Sequence, residues 1–139
     1  MSRTRSMQIA AVPVRQASDG GLEVLLVTSR ETRRWIVPKG WPMSGLSDHE
    51  AAAEEAWEEA GVIGAATSAK LGVYTYDKRD GPGTTRVTVD AYLLCVTEEM
   101  PAWPEAAERD RAWFTPQDAA DRVTEPGLKA LLQGLATKL

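Results

Sequence analysis

Apolar and polar positions along this chain fall into blocks with two different periods. Residues 7–15, MQIAAVPVR, are apolar and partly β-branched and predict a strand. Ser18-Asp19-Gly20-Gly21 supplies a turn, and 22–29, LEVLLVTS, predicts a second strand, hairpin-paired with the first. Trp35-Ile36-Val37 reads as a short strand ended by Pro38, and the Gly- and Pro-rich KGWPMSGL after it reads as a loop. The pattern then changes to helical. Ser47-Asp48-His49-Glu50 has the form of a capping box, with Ser as N-cap and Glu three residues on. Ala, Glu and Trp carry that helix to Ala60, and Gly61 supplies the stop. Beyond it, 69–78 and 85–97 predict two more strands, joined through a hairpin loop at 79–83. Residues 100–110 read as a Pro-containing acidic loop and 111–114 as a short strand. Thr115-Pro116 opens a helix with Pro in its first turn, and a last helix spans about 125–136.

Strands, one helix, more strands and then C-terminal helices predict an α+β domain, an α/β/α sandwich around a mixed sheet, and not a βαβαβ pattern. There is no internal repeat and no low-complexity tract. A length of 139 residues fits one domain, 1–139, with a sizeable core.

Charge changes the picture more than composition does. At 43% hydrophobic and 26% charged residues the chain has the make-up of an ordinary globular protein. Its net charge of −4 is unevenly spread: residues 1–39 carry +4, residues 40–62 carry −6 and the remainder −2. A basic stretch followed by an acidic one suits a polyanionic small molecule bound together with metal. No interleaved aromatic and basic face is present, so a nucleic-acid partner is not expected. No run of about 18 apolar residues suggests a membrane span. The start, MSRTRSMQIAAV, lacks the continuous apolar stretch of a signal peptide, and the expected location is the cytoplasm. The single cysteine, Cys95, excludes an internal disulfide and is expected to be a buried thiol.

The acidic stretch concentrates in AAAEEAWEEAGV, residues 51–62. On a helix Glu55, Glu58 and Glu59 share a face, with Glu54 beside them. Like charges at this spacing repel by roughly 0.2–0.5 kcal/mol per pair. They also occupy the last turns, where the helix dipole favours cations. Stability alone would not place them there. A hard divalent cation, with its preference for carboxylate oxygens, answers the arrangement best.

Other residues take bland or functional readings. Arg30, Arg33, Arg34 and Lys39 just precede the acidic stretch and suit phosphate binding by guanidinium forks, against a solvated basic loop. Arg3 and Arg5 reach the same substrate or belong to a frayed terminus. Lys78, Arg79 and Arg86 flank the hairpin loop, as surface charge or as a pocket rim. His49 is expected to be exposed and not catalytic. Trp57 and Trp113 are expected in the core, whereas Trp35 and Trp41 either pack or line a pocket.

Residues 40–62 resemble the Nudix box, the 23-residue signature of Nudix hydrolases. Gly40, Glu55, Glu58, Glu59, Gly61 and Val62 fall at the family's spacings. Leu46 stands where the family has its first glutamate, Glu54 where it has an arginine, and Ala56 is smaller than the usual aliphatic. The flanks LEVLLVTSRETRRWIVPKGW and Arg111-Ala112-Trp113-Phe114 resemble the diphosphoinositol polyphosphate and diadenosine polyphosphate hydrolase branch, through Ser29-Arg30 and Trp35 to Gly40. The resemblance covers roughly 7–135. It implies a Nudix fold with the box as loop–helix–loop, and hydrolysis of a diphosphate linkage with Mg²⁺ or Mn²⁺. It implies Glu55, Glu58 and Glu59 as catalytic and metal-binding residues, with Gly40 adding a backbone carbonyl. Which glutamate serves as base stays open, with Glu58 as first candidate. Ser29, Arg30, Arg34 and Lys39 are the implied substrate contacts. A nucleoside triphosphate or nucleotide-sugar pyrophosphatase, and a ligand-binding module with weak turnover, are the alternatives. The chain is expected to act as a monomer or homodimer.

Overall fold

Along β1, Met7–Gln16, side chains alternate between two cores. Ala10, Val12 and Val14 face one, while Ile9 and Ala11 face the other. A strand buried on both faces needs helices on both sides, and the fold supplies them. The computed structural model describes residues 6–138; Arg3 and Arg5 lie outside the described residues.

The remaining elements follow in chain order. They are β2 (Leu22–Thr28), β3 (Trp35–Ile36), β4 (Lys39–Gly40), α1 (Asp48–Ala60), β5 (Val62–Ala66), β6 (Gly72–Asp80), β7 (Gly83–Glu99), β8 (Arg111–Phe114), α2 (Pro116–Arg122) and α3 (Pro126–Lys138). Among the described residues the strands form one sheet with the central order β3-β2-β1-β7-β5; β4 also pairs with β1, β6 with β7 and β8 with β2. β1 and β7 run parallel, from Met7↔Thr88 to Val14↔Cys95. The other ladders are antiparallel, so the sheet is mixed.

α1 covers one face through Ala51, Ala52, Ala56 and Ala60, all fully buried. α2 and α3 cover the other through Ala119, Ala120, Leu128, Leu132 and Leu135. The predicted α+β sandwich is the architecture found. The capping box closes as the sequence predicts: the Ser47 side chain accepts from Glu50 N, and Glu50 reaches back to Ser47 N at 2.9 Å. Gly61 ends α1 in the left-handed region, φ 70°, its N–H donating to the Trp57 carbonyl.

Five expectations change. A strand, β5, follows α1 directly and pairs with the far half of the long β7. Its VIGAA sequence is poor in β-formers; pairing makes it, and Gly64 admits the close approach, since a Cβ there would overlap the Cys95 carbonyl. The loop after Pro38 begins with β4, which docks Gly40 against Ile9. Cys95 is exposed, not buried: Leu94 takes the inward place and alternation turns the thiol to the opposite face. His49 is half-buried, its ring 6.4 Å from Tyr92 and Nδ1 3.1 Å from the Ser47 hydroxyl. Trp57 and Trp113 are half-buried; Trp113 packs at the edge of the core beneath the Arg15 guanidinium at 4.0 Å.

Candidate active site

The box helix brings its glutamates to the sheet because its inward face is alanine. Small residues let α1 sit close, so Glu55 meets the backbone of β4. Gly40 is there for a steric reason: a Cβ would overlap the Glu55 carboxylate. Glu59, one turn on, is 6% exposed and lies inside the same corner.

The glutamates sort into two pairs. Burial chiefly pushes Glu55 up to about 8, helped by the charges of Glu59 and Glu58. Burial pushes Glu59 up to about 7, against the pull of Arg109 and Lys39. Glu58 is raised by burial and by a hydrogen bond shared with Glu54. One oxygen of Glu59, Oε1, is buried with no hydrogen-bond partner. Crowded carboxylates with a spare buried lone pair fit a hard divalent cation. Glu55 and Glu59 would hold it first, beside the Gly40 backbone. Among the described residues no three acidic or histidine side chains are yet drawn to one point.

Loop 100–110 closes the corner, and the sequence reading missed its part in the site. Trp103 Nε1 donates to the Glu59 carbonyl at 3.0 Å and Glu105 N to the Glu58 carbonyl at 3.1 Å. These bonds satisfy carbonyls at the end of α1 that have no partner within the helix. They also deliver Glu105, whose charge raises Glu55, Glu58 and Glu59 alike. Arg109 follows, 8% exposed. It donates to Glu105 Oε1 at 2.7 Å and to the Thr28 carbonyl at 3.0 Å, and pairs with Glu59 Oε2 at 3.7 Å. Within WPEAAERDR only the Arg109–Glu105 pair is local; the partners that join this loop to the site, Glu58, Glu59 and Thr28, lie more than forty residues earlier in the chain.

A cleft of about 750 Å³ opens beside the glutamate corner. Ser29, Arg30, Arg34, Lys39, Lys78, Arg79 and Arg109 line it. The predicted contacts Ser29, Arg30, Arg34 and Lys39 thus line one cleft. Ser29 shapes that cleft, its hydroxyl accepting from Arg34 N at 3.0 Å and lying 2.7 Å from the Thr32 hydroxyl. Burial lowers the Lys39 ammonium below its ordinary value, against the charges of Glu59 and Glu125. Arg33 turns away, φ 57°, to bond the Glu108 carbonyl at 3.1 Å and to pair with Asp110 at 2.6 Å. Trp35 packs edge-on against Phe114, ring centroids 5.2 Å apart, rather than lining the cleft.

A model of the NUDIX domain matches residues 6–134. The chain belongs to the Nudix hydrolase family. Within it, this Nudix chain is 34% identical over 81% of its length to Nudix hydrolase 16, mitochondrial, of Arabidopsis thaliana, spanning 65% of that protein. It is 39% identical over 70% of its length to diphosphoinositol polyphosphate phosphohydrolase 2 of Rattus norvegicus, spanning 52% of that protein. The chain thus spans roughly half to two-thirds of these relatives. Its Nudix fold is shared with the C. elegans Ap4A hydrolase binary complex, at TM-score 0.69 and 20% identity, covering 95% of this chain and 96% of that one. It is shared also with the NUDIX domain of Shewanella oneidensis NrtR complexed with ADP ribose, at TM-score 0.72 and 17% identity, covering 99% and 90%.

Proposed function

We propose that this Nudix domain hydrolyses a diphosphate linkage in a polyphosphorylated small molecule, with Mg²⁺ or Mn²⁺ as the cofactor. The observation that carries the reading is the junction of two opposite surfaces: a corner of raised, crowded carboxylates meets, through Lys39 and Arg109, a cleft rich in cations. Arg30, Arg34 and Lys39, with Lys78 and Arg79 opposite, bind the phosphates. Glu55, Glu58 and Glu59, with the Gly40 carbonyl, would hold the cation. When bound, the cation neutralises phosphate charge and polarises phosphorus toward water. Glu58, the least buried of the three, takes the proton from the attacking water. Arg109 holds the Glu59 and Glu105 carboxylates in place.

Diphosphoinositol polyphosphate or diadenosine polyphosphate is the substrate class we propose, supported by the likeness to the rat enzyme and by the number of cations in the cleft. Among the described residues no helix is long and apolar enough to cross a membrane, and we propose a cytoplasmic monomer or homodimer. The test is product release from a panel of diphosphoinositol polyphosphates, diadenosine polyphosphates, nucleoside triphosphates, ADP-ribose and nucleotide sugars, with each metal and with EDTA. Turnover of the first two classes that EDTA abolishes is expected. Release of nucleoside monophosphate from triphosphates or nucleotide sugars alone would replace this substrate class with a pyrophosphatase. Silence across the panel from folded, metal-binding protein would make the chain a binding module.

A further inference from the structure

A second cavity of about 370 Å³ adjoins the cationic cleft and shares Arg34, Tyr76 and Asp77 with it. Its far wall is Thr124, Glu125 and Pro126, at the start of α3. Glu125 is 7% exposed. Its Oε1 makes no hydrogen bond. Its Oε2 lies 3.8 Å from Arg34 Nη1, beyond hydrogen-bond distance, because that nitrogen donates to the Thr124 hydroxyl at 2.9 Å instead. A carboxylate buried in this way costs stability unless something donates to it.

The two cavities differ in charge. Six cationic and three acidic side chains line the large cleft, whereas two of each line the small one. Both cations in the small cavity also have protein acceptors. Arg86 pairs with Asp77 at 3.0 Å and donates to the Thr75 hydroxyl at 3.1 Å, while Arg34 is held by Thr124 and by Thr32. A phosphate entering here would meet the carboxylates of Glu125 and Asp77 beside only two cations, against the six of the cleft. A cationic group would meet Arg34 and Arg86 there. What remains is an uncharged group that brings its own N–H or O–H donors.

We propose that this cavity takes the non-phosphate end of the substrate, and that Glu125 is a specificity residue accepting a hydrogen bond from it. This rests on the neighbouring cleft being the polyphosphate site. It narrows the substrate class: a ring on which every hydroxyl is phosphorylated offers Glu125 only acceptors, whereas a nucleoside offers base amino groups and ribose hydroxyls. The selected chemistry is therefore a nucleoside-capped polyphosphate, with the donor supplied by an N–H or an O–H.

The experiment is calorimetric titration of the wild type and Glu125→Gln in EDTA, so that no turnover intervenes. The probes are diadenosine tetraphosphate, inositol hexakisphosphate and a tetraphosphate dinucleotide whose bases lack the exocyclic amino group. Glu125→Gln keeps the side-chain volume and removes the charge. Hydrogen bonds to charged groups are about twice as strong as neutral ones, so diadenosine tetraphosphate is expected to bind roughly ten-fold more weakly to the variant. Inositol hexakisphosphate is expected to bind as well as before or more tightly. Loss of this contrast with the amino-free dinucleotide would identify the base as the donor; its persistence would identify the ribose. Equal changes for diadenosine tetraphosphate and inositol hexakisphosphate, or none, would overturn the proposal. Failure of the hydrolase reading would show separately, as absence of metal-dependent turnover in the wild type.

Discussion

Arg109 links the end of β2, loop 100–110 and the box helix from a single buried position. It bonds the Thr28 carbonyl, Glu105 and Glu59 at once. Where the family box carries an arginine this chain has Glu54, and the cation that reaches Glu59 comes from the loop instead. Removing one partner of a buried ion pair typically costs about 3 kcal/mol or more, since the other charge is left uncompensated. Arg109→Ala is therefore predicted to lower stability by about that amount in urea unfolding and to reduce turnover. Arg109→Lys is predicted to recover only part of either, because one ammonium cannot replace a fork bonded on several sides. At this scale the box glutamates and Gly40 were legible, since spacing on a helix is local. Arg109, Glu105 and Glu125 were not, because their meaning comes from partners distant in the chain. Cys95 misled for the opposite reason: an apolar run conceals which face each residue takes.

Among the elements, α1 was the easiest to read, because its start and stop are written in single residues. The Ser47 side chain caps the first turn, and its replacement by Ala is predicted to cost about 1 kcal/mol. Gly61 carries more. A Cβ there would sit 2.6 Å from Arg111 Nη1 and 2.8 Å from the Trp103 ring, in a left-handed backbone. Those side chains clamp the helix end: Arg111 donates to the Ala60 and Met100 carbonyls at 2.8 and 2.7 Å, and stacks on Trp103 at 3.9 Å. Arg111 also sets a cation at the negative end of a helix whose last turn has no basic residue. Gly61→Ala is predicted to lose more stability than Ser47→Ala, and to lower activity by shifting Trp103, which bonds the Glu59 carbonyl. Thermal unfolding of the two variants side by side checks the order. β5 and β4 escaped the sequence reading because neither has a pattern of its own. Each exists by pairing with a longer strand, β5 with β7 and β4 with β1.

For the whole molecule, the separation of charge along the chain becomes a separation between a cation-rich cleft and the acidic corner beside it. The basic pre-box segment forms one wall and the box helix the adjoining corner. The α/β/α layering was legible from element order; the joining of loop 100–110 to the box was not. This arrangement has a pH signature. Glu55 and Glu59 are raised from the ordinary 4.5 to about 8 and about 7 in the folded state. The folded state then binds more protons than the unfolded state between those limits, so stability falls as pH rises through that window. Metal-free protein is predicted to have its higher melting temperature near pH 5 and to lose part of it by pH 8. Mg²⁺ or Mn²⁺ is predicted to restore stability, and to do so more at pH 8 than at pH 5, because the carboxylates then hold fewer protons.

The most direct test of the glutamate corner as a metal-dependent hydrolytic site combines Mn²⁺ titration with hydrolysis, on the wild type, Glu55→Gln and Glu59→Gln. Removing either carboxylate is predicted to weaken Mn²⁺ binding and to reduce metal-dependent turnover together, in protein that remains folded. Full Mn²⁺ affinity and full turnover in both variants would contradict the account and move the chemistry away from the box helix.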